Sequence, residues 1–159
     1  MINISYSKYK KIYIIVYFLV LLFWLYFIFS NSMSSATESS EQSTKVVELT
    51  QKIVSTFDKD AVVEPSAIRT SAHFFEFFVL GGIYYAGTYL LEKRSHFMVS
   101  LSIGISLLTA LVDETLQLSS PGRGAEVTDV WVDFLGALCA HFVIIFAITL
   151  MRLIKKKIT

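Results

Sequence analysis

Ile12 through Phe29 is an unbroken run of 18 apolar and aromatic residues, and it limits the folds open to this chain more than any other feature. As a helix rising about 1.5 Å per residue the run spans roughly 27 Å, close to the thickness of bilayer hydrocarbon. Further apolar stretches follow at Phe74–Leu91, Phe97–Leu118 and Val130–Met151. Only 17% of the residues are charged, against about 25% in a soluble domain, and 54% are hydrophobic. The expectation is an all-α integral membrane four-helix bundle forming a single domain over 1–159. Its spans fall near 12–29, 72–91, 97–118 and 129–151. Lys8, Lys10 and Lys11 precede the first run as in a signal peptide, but the run exceeds the usual 7–15-residue apolar region, so an uncleaved anchor is expected.

The placement of Lys and Arg sets the expected orientation. Nine of the 14 basic residues flank one set of span ends: Lys8, Lys10 and Lys11, then Lys93 and Arg94, then Arg152 and Lys155–Lys157. That side is expected to be cytoplasmic, with both termini inside. The 30–70 segment then lies outside. Within it Val46, Leu49, Ile53 and Phe57 recur at helical spacing, predicting a short amphipathic helix that covers an outward opening or rests on lipid headgroups. The net charge of +1 and the absence of a basic, aromatic-interleaved stretch argue against nucleic-acid binding. The lone Cys139 excludes an intrachain disulfide and reads as apolar filler.

Ionisable residues inside apolar spans are costly and need a partner or an aqueous cavity. Here they gather at the outer span ends. Arg69, His73 and Glu76 share one face of the second span. Ser102, Ser106, Thr109, Asp113 and Gln117 form a stripe on the third, with Glu114 beside it. Asp129 and Asp133 open the fourth and lead into a small-residue face at Gly136 and Ala140. Pro121-Gly122 reads as a tight turn holding Arg123 above the cluster, with Thr128 or Asp129 capping the fourth span. Two arginines then face five carboxylates, an imbalance suited to proton handling or ligand binding. His73, Glu76, Asp113 and Glu114 are the candidate acid/base groups, and Arg69, Gln117, Arg123, Asp129 and Asp133 the candidate ligand-binding groups. A structural network of Arg–carboxylate pairs is the alternative. With one histidine in the cluster no metal site and no cofactor are expected. Gly104-Ile105-Ser106 lacks the second glycine of a nucleophile elbow, and His141, deep in the fourth span, reads as a packed neutral histidine.

Taken together, Arg69-x-x-x-His73-Phe74-x-Glu76-Phe77, Asp113-Glu114-x-x-Gln117, Pro121-Gly122-Arg123 and Asp129-x-x-x-Asp133-x-x-Gly136 resemble the VanZ-like membrane proteins. The pattern departs from that family at Asp133, where Asn is favoured, and at Phe77, where Tyr is favoured. The resemblance implies a bacterial cytoplasmic-membrane protein of the cell envelope, with a founding member that lowers susceptibility to teicoplanin-type glycopeptides. Expected partners are a membrane lipid or lipid-linked cell-wall precursor, and a homo-oligomer is compatible with so small a bundle. The alternative is a non-enzymatic membrane scaffold. The residues leave open whether a bound molecule is transformed.

Overall fold

The computed structural model describes residues 3–90 and 96–158, and it is helical in every regular element described. Five helices follow in order: α1 (Asn3–Ser32), α2 (Ala36–Phe57), α3 (Pro65–Leu90), α4 (His96–Gln117) and α5 (Val127–Ile158). The expected basic residues Lys93 and Arg94 lie outside the described residues. By length and composition α1, α4 and α5 can each cross a membrane. Their lipid-facing positions include Phe18, Leu19, Leu22, Phe23, Leu108, Phe142 and Phe146, all exposed on the surface of the bundle.

Four spans were expected, and α3 occupies the place of the second. It is not among the helices apolar enough to cross by composition. The reason is its position: α3 packs against all four other helices, and most extensively against α5. A helix with one face against protein can carry His73, Glu76 and glycines on that face where a lipid-facing one needs Leu and Ile. Pro65 at its first position starts it, since the missing N–H would have had no intrahelical partner.

Small residues set the α3–α5 distance. A Cβ on Gly81 would lie 2.6 Å from the Ala137 carbonyl oxygen, and one on Gly136 would strike the carbonyl oxygen of Phe74. The small-residue face at Gly136 is therefore engaged within the chain, against α3. One turn towards the chain-reversing end, this crossing carries His73 of α3 and Asp133 of α5 to the same level. The apolar core beside it is Ile28, Phe77, Leu80, Ala110 and Val130.

The amphipathic helix is present and, at 22 residues, longer than expected. Ser35 starts it with a capping box: the Ser35 hydroxyl accepts the Glu38 N–H, and the Glu38 carboxylate accepts the Ser35 N–H at 2.9 Å. Its apolar stripe at Leu49, Ile53 and Phe57 stays exposed, while Ser39, Ser43 and Val46 overlie a cavity. Gln51 ties the following loop back, donating to the Ala61 carbonyl and accepting the Val63 N–H, both at 2.7 Å.

Two outcomes follow. Gly136→Leu overpacks the crossing and should cost about 1–3 kcal/mol. Gly104→Ala, on open helix surface with nothing within 4 Å of the added carbon, should gain about 0.5–1 kcal/mol. Thermal unfolding of the purified protein separates them, and equal effects would contradict the crossing. The Ser35 backbone bond and then the Ser35 hydroxyl hold the Glu38 carboxyl below its ordinary value of 4.5. A depressed carboxyl stabilises above that ordinary value and loses its contribution as pH falls through the folded one. Hydrogen-exchange protection of the first α2 turn, corrected for intrinsic rates, should therefore fall on acidification, and should already be low at neutral pH in Glu38→Gln.

Candidate functional site

The polar stripes converge at one end of the bundle. On α4, Ser102, Ser106, Thr109, Asp113, Glu114 and Gln117 are all buried, as the 3.6-residue period requires of a single inward face. His73 and Asp133 are buried opposite them. The Ser32 hydroxyl, at the end of α1, donates to Asp113 Oδ1 at 2.6 Å, and Gln117 Nε2 donates to Asp113 Oδ2 at 3.4 Å. His73 Nδ1 stands 3.6 Å from Asp133 Oδ1. Among the described residues neither oxygen of the fully buried Asp133 has a hydrogen-bond partner, nor does His73 Nδ1.

His73 also lines a cavity of about 390 Å³ between α2 and α3. Its other walls include Asn31, Arg69, Glu76 and Arg123, with Val46, Ile68 and Phe75 supplying apolar surface. Glu76 Oε1 accepts from Asn31 Nδ2 at 2.9 Å, and the Glu76 backbone carbonyl accepts from Trp24 Nε1 at 3.0 Å, which anchors α1 to α3.

The turn between α4 and α5 positions Arg123 as its sequence indicates. Ser120 through Arg123 close a β-turn, with the Arg123 N–H donating to the Ser120 carbonyl at 3.2 Å and Gly122 at φ 76°. Pro second and a positive-φ glycine third is the type II pattern. The Pro121 carbonyl then accepts the Ala36 N–H at 3.1 Å, joining the turn to the start of α2.

The role of Arg123 is broader than expected. Its Nη1 donates to the Asn31 and Ser32 carbonyls, each at 3.1 Å, so it caps the C-terminal end of α1, where unpaired carbonyls and the helix dipole favour a cation. Burial and then the repulsion of nearby Arg69 push its pKa down. Among the described residues no carboxylate comes within 4.0 Å of either guanidinium. The alternative of a locking Arg–carboxylate network thus lacks its pairs.

Other expectations are adjusted by the local geometry. Glu114 Oε1 accepts the backbone N–H of Glu126, just ahead of α5, so this carboxylate ties α4 to the start of α5. Thr128 and Asp129 lie within the first turn of α5 rather than at its cap, because the helix begins at Val127. Asp129 is half-buried there. Ser106 donates to the Ser102 carbonyl at 2.9 Å, a bond within its own helix. His141 is buried with partners that its sequence position did not reveal: Nδ1 donates to the Ala137 carbonyl, and Nε2 lies 2.8 Å from the Ser102 hydroxyl. Asn31 and Ser32 went unread as site residues. Their signal is that they are the polar residues ending the first apolar run, where a helix terminus meets the other spans.

These features define an all-α membrane protein with a polar cluster and an amphipathic cavity at one end of its bundle. A family model described as VanZ/LLP1 matches residues 16–151. The chain belongs to this VanZ-like family. No curated protein and no solved structure matches it.

The two arginines should separate in stability measurements. Arg123→Gln removes a charged donor from two carbonyls and should cost about 1–2 kcal/mol, the solvent-facing part of the group being discounted. Arg69→Gln should stay within about 0.5 kcal/mol of wild type. Chemical or thermal denaturation in detergent measures both, and equal losses would contradict the capping role.

Proposed function

We propose that this chain is an envelope protein of the bacterial cytoplasmic membrane, with both termini cytoplasmic, whose outward-opening cavity binds the anionic headgroup of a lipid-linked cell-wall component. Binding there lowers susceptibility to teicoplanin-type glycopeptides by changing access to the drug's target. The observation that carries this reading is the pair of guanidiniums, Arg69 and Arg123, on a cavity that also presents Val46, Ile68 and Phe75. With no described carboxylate within 4.0 Å, both cations are available to an anion. Arginine forks suit phosphate and carboxylate oxygens, and the apolar wall suits the first carbons of a lipid tail. The cavity volume of about 390 Å³ lies within the roughly 300–1,000 Å³ usual for small-molecule sites.

In this reading Arg69 and Arg123 hold the anionic group, and His73 and Glu76 contact it as hydrogen-bonding or acid/base groups. Asp113, Gln117 and Asp133 form the buried floor behind His73, and Glu114 and Asp129 hold the α5 end that supports them. Family membership supports the membrane and envelope setting.

Fluorescent teicoplanin-type drug binding to cells tests the proposal, with wild type, empty vector, Arg69→Gln and Glu76→Gln compared at matched membrane levels. Wild type should lower surface drug binding, and both variants should restore it towards the empty-vector level. Wild type and empty vector binding alike would contradict the proposal, as would full protection by both variants.

A further inference from the structure

We propose that His73, Asp113 and Asp133 form a divalent-cation site at the inner end of the cavity, with Zn²⁺ the ion its donors suit best. One ligand atom from each residue lies within 4.8 Å of the other two, and all three residues are buried. Zinc holds nitrogen and oxygen donors at about 2.0–2.2 Å, so donors on a tetrahedral ion stand roughly 3.3–3.6 Å apart. His73 Nδ1 and Asp133 Oδ1 already stand 3.6 Å apart, and the Asp113 donor closes on them by side-chain movement on the order of 1 Å.

The constellation differs from an ordinary acidic cluster in what it leaves unmet. Asp133 is fully enclosed, and neither of its oxygens has a hydrogen-bond partner among the described residues. His73 Nδ1, 3.6 Å away, is likewise without one. Buried charges are paired or coordinate metals. Arginine does not provide the pairing, because neither Arg69 nor Arg123 comes within 4.0 Å of a described carboxylate.

Asp113 is already held as a metal-binding carboxylate is held. The Ser32 hydroxyl donates to Oδ1 and the Gln117 amide to Oδ2, and each oxygen keeps a lone pair for an ion. The three residues come from α3, α4 and α5, so helix packing rather than a loop fixes their spacing. Three protein ligands with one position open is the arrangement of zinc sites that take a water or ligand, whereas structural zinc sites are closed by four protein ligands. The imidazole nitrogen favours Zn²⁺ over Mg²⁺, which prefers oxygen alone. His73 is common to this cluster and to the cavity wall. An ion held there would stand behind the cavity wall that Arg69 and Arg123 also line.

The site does not depend on the cell-wall reading, and its test uses neither lipid nor drug. The full chain, purified in detergent without a histidine tag and stripped with EDTA, is titrated with ZnCl₂, MnCl₂ or MgCl₂. Bound metal is read by mass spectrometry after desalting, and Tm is read in parallel. Wild type should take up about one Zn²⁺ per chain and gain thermal stability as it does. Asp133→Asn should weaken zinc binding by about 100-fold, and Ser32→Ala by about 10-fold. Wild type that binds none of the three ions and shows no change in Tm overturns the proposal, whatever the variants do. So does zinc binding at wild-type strength by both Asp133→Asn and His73→Gln. Uptake of Mn²⁺ or Mg²⁺ without Zn²⁺ overturns the choice of ion.

Discussion

The close passage of α3 over α5 is the constraint from which the rest of this structure follows. Gly136 lies against the Phe74 carbonyl, and Gly81 against the backbone of Ala137, so the two helices approach to a distance that side chains would forbid. Where lipid offers helices no hydrophobic driving force, van der Waals contact of this kind is what remains to hold them together. The same crossing sets the register. His73 immediately precedes Phe74, and Asp133 lies one turn before Gly136, so the contact that joins the helices also fixes their polar pair.

Around that pair the bundle separates two environments. Its outer surface carries large apolar side chains from Ile12 on α1 to Leu153 on α5, while its interior at one end holds three carboxylates, an imidazole and an amide. Ionisable groups at membrane depth are tolerated where they face protein or a cavity, and here they do both. Asp113 is held by Ser32 and Gln117, and Glu114 through Oε1 by the Glu126 amide, so these two carboxylates fasten α1 and α5 to α4. Among the described residues both Asp133 oxygens, Glu76 Oε2 and Glu114 Oε2 are left without a hydrogen-bond partner. Arg123 bridges the two parts: it closes the end of α1 with one nitrogen and borders the cavity.

Much of this was legible in the sequence because it depends on local periodicity. The α4 stripe from Ser102 to Gln117 follows the helical repeat, and every member is buried. The turn at Pro121-Gly122 needs only the fixed φ of one residue and the positive φ of the next. What remained hidden depends on contacts between distant segments. Asn31 and Ser32 carry no motif of their own, and they become site residues only because α1 ends beside α4 and Arg123. The partner of His141 is Ser102, 39 positions away, which no spacing rule connects to it. The peculiarity of α3 is of the same kind. Its composition reads as a weak span until the other helices surround it.

The most direct measurement is a solid-state NMR distance in membranes between histidine imidazole nitrogen and aspartate carboxyl carbon. Of the described histidines, only His73 has an aspartate oxygen within 4.0 Å, at 3.6 Å from Nδ1 to Oδ1 of Asp133, whereas His141 Nδ1 faces the Ala137 carbonyl. With ¹⁵N-histidine and ¹³Cγ-aspartate, dipolar dephasing of one imidazole is expected in wild type and should weaken in Asp133→Asn to the part that Asp113 contributes. The absence of dephasing in folded wild-type protein, or its undiminished strength in Asp133→Asn, would contradict the account that the α3–α5 crossing builds this site.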